Sequence, residues 1–501
     1  MASYLLAHDL GTSGNKAVLY GIDGTAVAEA SASYPTHYPI ERAAEQDPEA
    51  WWGAFCDTNL ELLSRAGCRA EDILAVSFSA QMNSCLPVDR AGNPLRRAMI
   101  WADQRAQEQA ERINRELGME RVYQMTGQRL SASSGLGKMA WFRENEPELY
   151  KKTAAFLQPK DYLISKLTGK LVSDYSDASH LACLDISKLR WSNEMLAAAG
   201  IGEEKLPELL PSTAKAGQVT REAAAECGLM EGTPVVTGGG DGPCATAGAG
   251  IFAPGQSYCC LGTSAWIASL LKKPHLDTRL RTFNLVFLDG RQVMALGTTQ
   301  AAGLALAWAI DTLYAEFTDK SEVYKSLDTF TRDVPAGSRG LLFLPYLLGE
   351  RSPWWNAGAS GSFIGLHPGH NRETLLKAVM EGVGLNLKLV LDALEEGGPV
   401  KQLTVIGGGA RNRTWLRILA DIWQKELPVP GMLQTATSLG AMLCAGVGAG
   451  VFGSLEAAAG LNPAVDTIRP DPRHAAVYSQ ALERLTRVYR ALDAADYQYQ
   501  A

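Results

Sequence analysis

Two short apolar runs, Tyr4–Ala7 and Lys16–Tyr20, flank a polar, glycine-rich segment at the head of the chain. Each run has the length and the bounding residues of a β-strand. Asp23-Gly24 then supplies a hairpin turn into a third strand, Ala26–Ala32. The Trp-rich stretch Pro48–Leu63 reads as a helix, Ile73–Ser79 as a strand, and Gln104–Leu117 and Gly137–Asn145 as helices. Gly232–Pro243 reads as a buried strand ending in a glycine turn, with Pro243 placed to start a helix. The strongest helical period runs over Arg372–Leu394. Leu376, Val379, Met380, Val383, Leu387, Val390, Leu391 and Leu394 make one apolar stripe there, behind Asn371 as cap. After it come a strand over Gln402–Ile406, a turn over Gly407–Asn412 and a helix over Thr414–Gln424.

One element of this pattern occurs twice. Leu-Gly-Thr-Ser stands at Leu10–Ser13 and again at Leu261–Ser264, each time between short apolar runs, and the strand and helix pattern restarts after the second copy. A phosphate loop of the P-loop type leads from strand to helix and needs G-x-x-x-x-G-K-[ST], which is absent; these turns join two strands. No low-complexity linker divides the chain, so the repeat alone sets the expected boundary near residue 245, giving halves 1–245 and 246–501.

Composition narrows the class. A chain of 501 residues is too long for one ordinary core, and 46% hydrophobic with 20% charged residues is the balance of a globular protein. A net charge of −7 without a Lys/Arg run argues against nucleic acid or an anionic membrane as partner. The nine cysteines are scattered, with no Cys-x-x-Cys pair, as expected of reduced thiols in a cytoplasm. The chain goes directly into a strand, so a secretory leader is not expected. The uncharged stretch Leu427–Ser454 is broken by Pro428, Pro430 and six glycines, and reads as a close-packed helix rich in small residues rather than a membrane span.

The candidate chemistry gathers at strand ends. Asp9 directly precedes the first glycine turn, where a carboxylate suits a hydrated Mg²⁺. Thr12-Ser13 and Thr263-Ser264 offer hydroxyls and closely spaced N–H groups that wrap an anion, and two such turns across a cleft would hold two parts of a polyphosphate. Asp241 follows Gly238-Gly239-Gly240, glycines expected where backbone approaches a ligand; its carboxylate then takes a proton from a hydroxyl. Gly407-Gly408-Gly409 with Asn412 suits a flat ring lying on glycine backbone. Met82-Asn83 and Trp101-Ala102-Asp103 follow expected strands, where α/β proteins gather ligands.

Taken together these segments resemble the FGGY family of carbohydrate kinases. The likeness runs through "DLGTSGNKAVLY", "EQDPEAWW" (Glu45–Trp52), "WADQR" (Trp101–Arg105), "PKDYLISKLTG" (Pro159–Gly169), "SDYSDAS" (Ser173–Ser179), "GGGDG", "LGTSA", "GERSPWWN" (Gly349–Asn356) and "GGGARN", in the family's order. The resemblance implies an α/β fold of two ribonuclease H-like domains, as in actin, Hsp70 and sugar kinases, around a central cleft. It implies ATP and Mg²⁺ as cofactors and a small sugar as partner, and leaves a homodimer open. By it, Asp241 is the catalytic base and, with Asp9, a metal ligand. Gly11, Thr12, Ser13, Gly262, Thr263, Ser264, Gly407, Gly408, Gly409 and Asn412 hold ATP, and Met82, Asn83, Asp103 and Gly242 line the sugar pocket.

Several blocks are most similar to xylulokinases, so a ketopentose such as D-xylulose is the first expectation. Two positions depart from them: Asn83 stands where xylulokinases usually have His, and Gly242 where they have Asn. The Asp-Gly pair and "WAD" also occur in gluconate kinases of the family, which keeps aldonates, polyols and other ketoses open. A nucleotide-driven binding protein of actin or chaperone type is the non-enzymatic alternative, against which Asp241 and the Trp101–Asp103 block stand.

Overall fold

The structure is a computed structural model that describes residues 3–495. Its first sheet grows from the opening meander. Tyr4–Leu10, Gly14–Gly21 and Ala26–Ser33 run antiparallel, with Leu10 facing Asn15 across the glycine turn. Ile73–Ala80 lies parallel on the free side of the first strand, Asp9 beside Ser79. Pro234–Val236 and Lys215–Gln218 complete that edge, and Gly239–Gly240 pairs with the end of Ile73–Ala80.

The second sheet repeats the plan. Ser257–Leu261, Ala265–Leu271 and Val293–Thr299 form an antiparallel meander extended by Phe283–Val286, and Thr404–Ile406 lies parallel on the free side of Ser257–Leu261. Its glycine turn is one residue shorter, since Leu261 faces Ala265. The duplicated sequence is therefore a duplicated half-fold.

Each sheet buries its outer face under helices of its own half. Trp51, Phe55 and Leu62 of the helix Pro48–Ala66 cover the first, and the stripe of Arg372–Glu395 covers the second. The inner faces, including Leu5, Ala7, Val18 and Tyr20 on one and Tyr258, Ala268 and Leu270 on the other, share a core with two crossing helices, Asp241–Gly248 and Ala436–Gly448. The crossing is too close for side chains. A Cβ on Gly248 would stand 1.7 Å from the Ala436 carbonyl oxygen, and one on Gly440 would stand 2.1 Å from that of Cys244. A helical lobe around Ile113, Leu136, Phe142 and Met195 has a core of its own. It docks on the second sheet through Tyr123, whose hydroxyl donates to the Thr282 carbonyl (2.9 Å), and through the Asn284 N–H on the Gly127 carbonyl (2.8 Å).

Some expected elements shift. The helix expected from Gln104 begins at Gln107, because the Asp103 carboxylate takes the Arg105 N–H (3.1 Å) and holds that segment as a turn. The uncharged stretch begins with a strand, Leu427–Pro430, paired with Ala464–Ile468, before the small-residue helix Ala436–Gly448. Among the described residues no helix is long and apolar enough to cross a membrane.

Candidate active site

Neighbouring strands bring two carboxylates together. Asp9 and Gly239 both stand beside Ser79, whose hydroxyl donates to Asp9 (3.0 Å). Two residues beyond Gly239, Asp241 opens the helix Asp241–Gly248, its carboxylate accepting from the Gly242 N–H at 2.7 Å. Burial, then the charge of Asp9, pushes Asp241 up to about 7 against that hydrogen bond. Burial lifts Asp9 to about 6 against the Ser79 hydrogen bond and the charge of Lys16. Both charges also reach Cys260, one residue ahead of Leu261, which sets the second glycine turn near the same pair. The three glycines before Asp241 do not serve ligand approach as expected. Gly238 (φ +67°) lies against the Phe78 backbone, Gly239 against Leu288 and Ser176, and Gly240 against the Met82 sulfur, each too close for a Cβ. They press the Asp241 strand into the protein, and the carboxylate projects past them.

The glycine turns have the opposite character. A Cβ on Gly11 would meet nothing nearer than 3.6 Å, on Gly262 nothing nearer than 3.4 Å, and on Gly408 nothing within 4 Å. Packing within the protein does not require glycine at these three positions. The scaffold takes the turns' carbonyls: the Tyr34 hydroxyl donates to Gly11 (2.6 Å), Gln46 to Thr12 (2.6 Å), and the N–H groups of Ala302 and Leu304 to Thr263 (2.9 and 3.0 Å). The N–H groups of Thr12, Ser13 and Thr263 bond to no other described residue. Ser13 and Thr263 are exposed, Gly11, Thr12, Gly262 and Ser264 half-buried. In the third turn, Gly407 (φ +89°) and Gly409 pack on Leu261, leaving Gly408 exposed. Asn412, expected at the nucleotide, also serves the scaffold. Its Oδ1 caps the helix Arg413–Trp423 by accepting from the Trp415 N–H (2.9 Å), and its amide donates to the Tyr324 carbonyl (3.1 Å).

Of the expected sugar contacts, Met82 touches Gly240, and Asn83 adopts a left-handed backbone (φ +63°). The Asn83 Oδ1 accepts from the Gly135 N–H (3.1 Å), and its carbonyl from the Lys138 ammonium (2.7 Å). Gly242 faces Leu285. Asp103 is corrected. It is fully buried, and its oxygens take the Ala44 N–H (2.9 Å), the Arg105 N–H and the Arg105 guanidinium (2.7 Å), so none is left for a substrate. The residue this block offers the cleft is Trp101, whose indole N–H donates to the Thr12 hydroxyl (2.8 Å) and whose ring lies under the Arg351 guanidinium, 5.4 Å from the centroid. Both belong to blocks that the sequence marks, Trp101–Arg105 and Gly349–Asn356, but the sequence assigns neither a role.

A duplicated sheet, two bare glycine turns and a carboxylate pair near both define a sugar kinase of the actin and Hsp70 fold. The sequence profile of the FGGY family of carbohydrate kinases matches in two parts, the N-terminal domain over residues 4–248 and the C-terminal domain over 257–449. The chain belongs to that family and is a carbohydrate kinase, with ATP as phosphoryl donor. It is 36% identical to a xylulose kinase of Bacillus subtilis over 90% of each chain. It is 32% identical to a gluconokinase of the same species, over 97% of this chain and 94% of the other. A solved gluconate kinase from Lactobacillus acidophilus superposes with a TM-score of 0.92 at 27% identity, over 98% of both chains.

Proposed function

We propose that this kinase transfers the γ-phosphoryl group of ATP to a primary hydroxyl at the end of a small open-chain sugar, with Asp241 as general base. The observation that carries the reading is the Asp241 carboxylate, held beside Asp9 and pushed up to about 7. At that value it is ionised in a large fraction of molecules near neutrality and still basic enough to take a proton. The substrate oxygen forms its bond to the γ-phosphorus as the bond to ADP breaks, and the hydroxyl proton passes to Asp241. Most of the rate comes from positioning and charge neutralisation. The turns at Gly11–Ser13 and Gly262–Ser264 hold the phosphates through their free N–H groups, and Gly408 gives the adenosine a flat backbone surface. Asn412 contributes by fixing the helix behind that surface rather than by a bond to the base. Asp9 and Asp241 suit a Mg²⁺, because they are hard oxygen donors whose mutual repulsion a dication relieves. When bound, it neutralises charge on the β- and γ-phosphates. The chain divides near residue 245 into a sugar-facing and a nucleotide-facing half, and the enzyme works in the cytoplasm, where its nine free cysteines stay reduced.

The relatives named for xylulose and for gluconate support the same chemistry, a terminal hydroxyl on a chain of a few carbons. D-Xylulose represents the ketopentoses and D-gluconate the aldonates. A coupled ADP-release assay over ketopentoses, ketohexoses, polyols and aldonates tests the class. Acceleration by at least one sugar is expected; ADP release that no sugar accelerates would overturn the reading.

A further inference from the structure

Lys138, on the helix Gly135–Asn145, is fully buried. Its ammonium donates to three backbone carbonyls, those of Asn83, Ile100 and Ser133, each at 2.7 Å. An ammonium has three N–H groups and no acceptor, so these bonds use its whole capacity. Burial holds the ammonium below its usual range, against the charge of Asp103. Methionine would fill much the same volume without desolvating a charge. The reason for a lysine lies in the segments to which the three carbonyls belong.

Two of those segments run side by side up to Cys85 and Met99, which exchange both backbone hydrogen bonds (2.8 and 3.0 Å). Continuing that register would set Asn83 opposite Trp101. Instead Asn83 takes a left-handed backbone (φ +63°), and the carbonyls of Asn83 and Ile100 both go to Lys138. Met82, next to Asn83, lies against Gly240, the residue before Asp241. Trp101, next to Ile100, donates to the Thr12 hydroxyl of the first glycine turn. Lys138 thus ties a segment beside the reactive carboxylate to one beside a glycine turn. The same helix grips Asn83 a second time: the Gly135 N–H donates to its Oδ1 (3.1 Å), so Asn83 caps the helix from a distant part of the chain. The Asn83 Nδ2 bonds to no other described residue.

We infer that Lys138 is a positioning residue for the sugar, holding the Asn83 and Trp101 segments at a fixed spacing and turning Asn83 so that it meets the substrate with N–H donors only. This rests on the kinase reading above and on Asn83 lining the sugar pocket. Lys138 touches no substrate and acts through the two segments. Both oxygens of Asn83 are occupied by the helix, so the sugar atom opposite Asn83 is an acceptor oxygen. A loosened Lys138 would let the segments part and the Asn83 amide turn, weakening the sugar and leaving the nucleotide in place.

Two measurements on the full-length protein test this. Lys138→Met keeps the volume and leaves three carbonyls without a donor. Hydrogen–deuterium exchange read by mass spectrometry should quicken in the peptides that carry Asn83 and Ile100. In the ADP-release assay the KM for D-xylulose or D-gluconate, whichever is turned over, should rise about 10- to 100-fold, the range for buried groups left unpaired. The KM for ATP should hold. Lys138→Arg keeps a cation but spreads its donors in a plane, and should give the same pattern at smaller amplitude; it serves where the methionine variant does not fold. Leu136→Ala, in the core of the same lobe, should lower the melting temperature and leave both segments and the sugar KM unchanged. Asn83→Asp keeps an acceptor for Gly135 and removes the side-chain donor, so the sugar KM should rise. Unchanged exchange in both segments of the Lys138 variants would overturn the inference. So would a sugar KM raised equally by Leu136→Ala, or a KM for ATP that rises with it. If no sugar is phosphorylated the kinase reading falls, and the exchange measurement still decides whether Lys138 holds the two segments.

Discussion

Asp241 carries opposite demands on one carboxylate. Its ordinary value is 3.8, and burial beside Asp9 raises it to about 7. A group raised in the fold binds its proton more tightly there, so the fold is undisturbed near pH 4 and loses stability as pH climbs to about 7, with the full cost above that. Asp241→Asn removes the charge and the ability to take a proton. Its kcat should fall by about 10²–10⁴, while its melting temperature at pH 8 should rise by about 2 °C and match wild type near pH 4. In the wild-type enzyme kcat/KM should climb with pH and level off above about 7. A variant with wild-type turnover and a lowered melting point would reduce Asp241 to a brace for its turn. Asp9 was legible because it stands just ahead of a glycine turn, and Asp241 because it follows a run of three glycines. The bonds that withdraw Asp103 were not, since Ala44 and Arg105 reach it from opposite directions in sequence.

Glycines of two kinds are indistinguishable in the sequence and separable in the structure. Gly408 has open space where a Cβ would stand, whereas Gly440 has the Cys244 carbonyl oxygen 2.1 Å away. Gly408→Ala should therefore leave the melting temperature unchanged and raise the KM for ATP. Gly440→Ala should force the crossing helices apart, at a cost of about 1–3 kcal/mol, read as a lowered midpoint in urea. If Gly408→Ala proves the less stable of the two, the bare-turn account of nucleotide binding fails. Strands, turns and the Arg372–Glu395 helix were legible because local periodicity and caps define them. The helix crossing was not, because Cys244 and Gly440 meet from opposite halves of the chain and nothing local marks either as a partner. For the same reason Gly238, Gly239 and Gly240 read as ligand-facing: a run of glycines states that something comes close, not what it is.

Contacts between the halves lie at the crossing helices, at the docked helical lobe, and between Trp101 and Arg351. At the crossing helices Gly440 lies against Cys244, and the Tyr20 hydroxyl shares a hydrogen bond with Ser438 (3.0 Å). Between Trp101 and Arg351 the link is a ring under a cation, weaker and less directional. The two glycine turns belong to different halves, so a ligand that bonds to both gains from closure, and one bound to a single turn does not. A non-hydrolysable ATP analogue together with the sugar should lower the radius of gyration in small-angle scattering more than either alone. The sugar should in turn slow ATP hydrolysis by water, because closure excludes solvent from the γ-phosphate. Identical scattering from the free and doubly liganded protein would show that the cleft is preformed, and the rate would then rest on the fixed geometry of Asp9, Asp241 and the two turns.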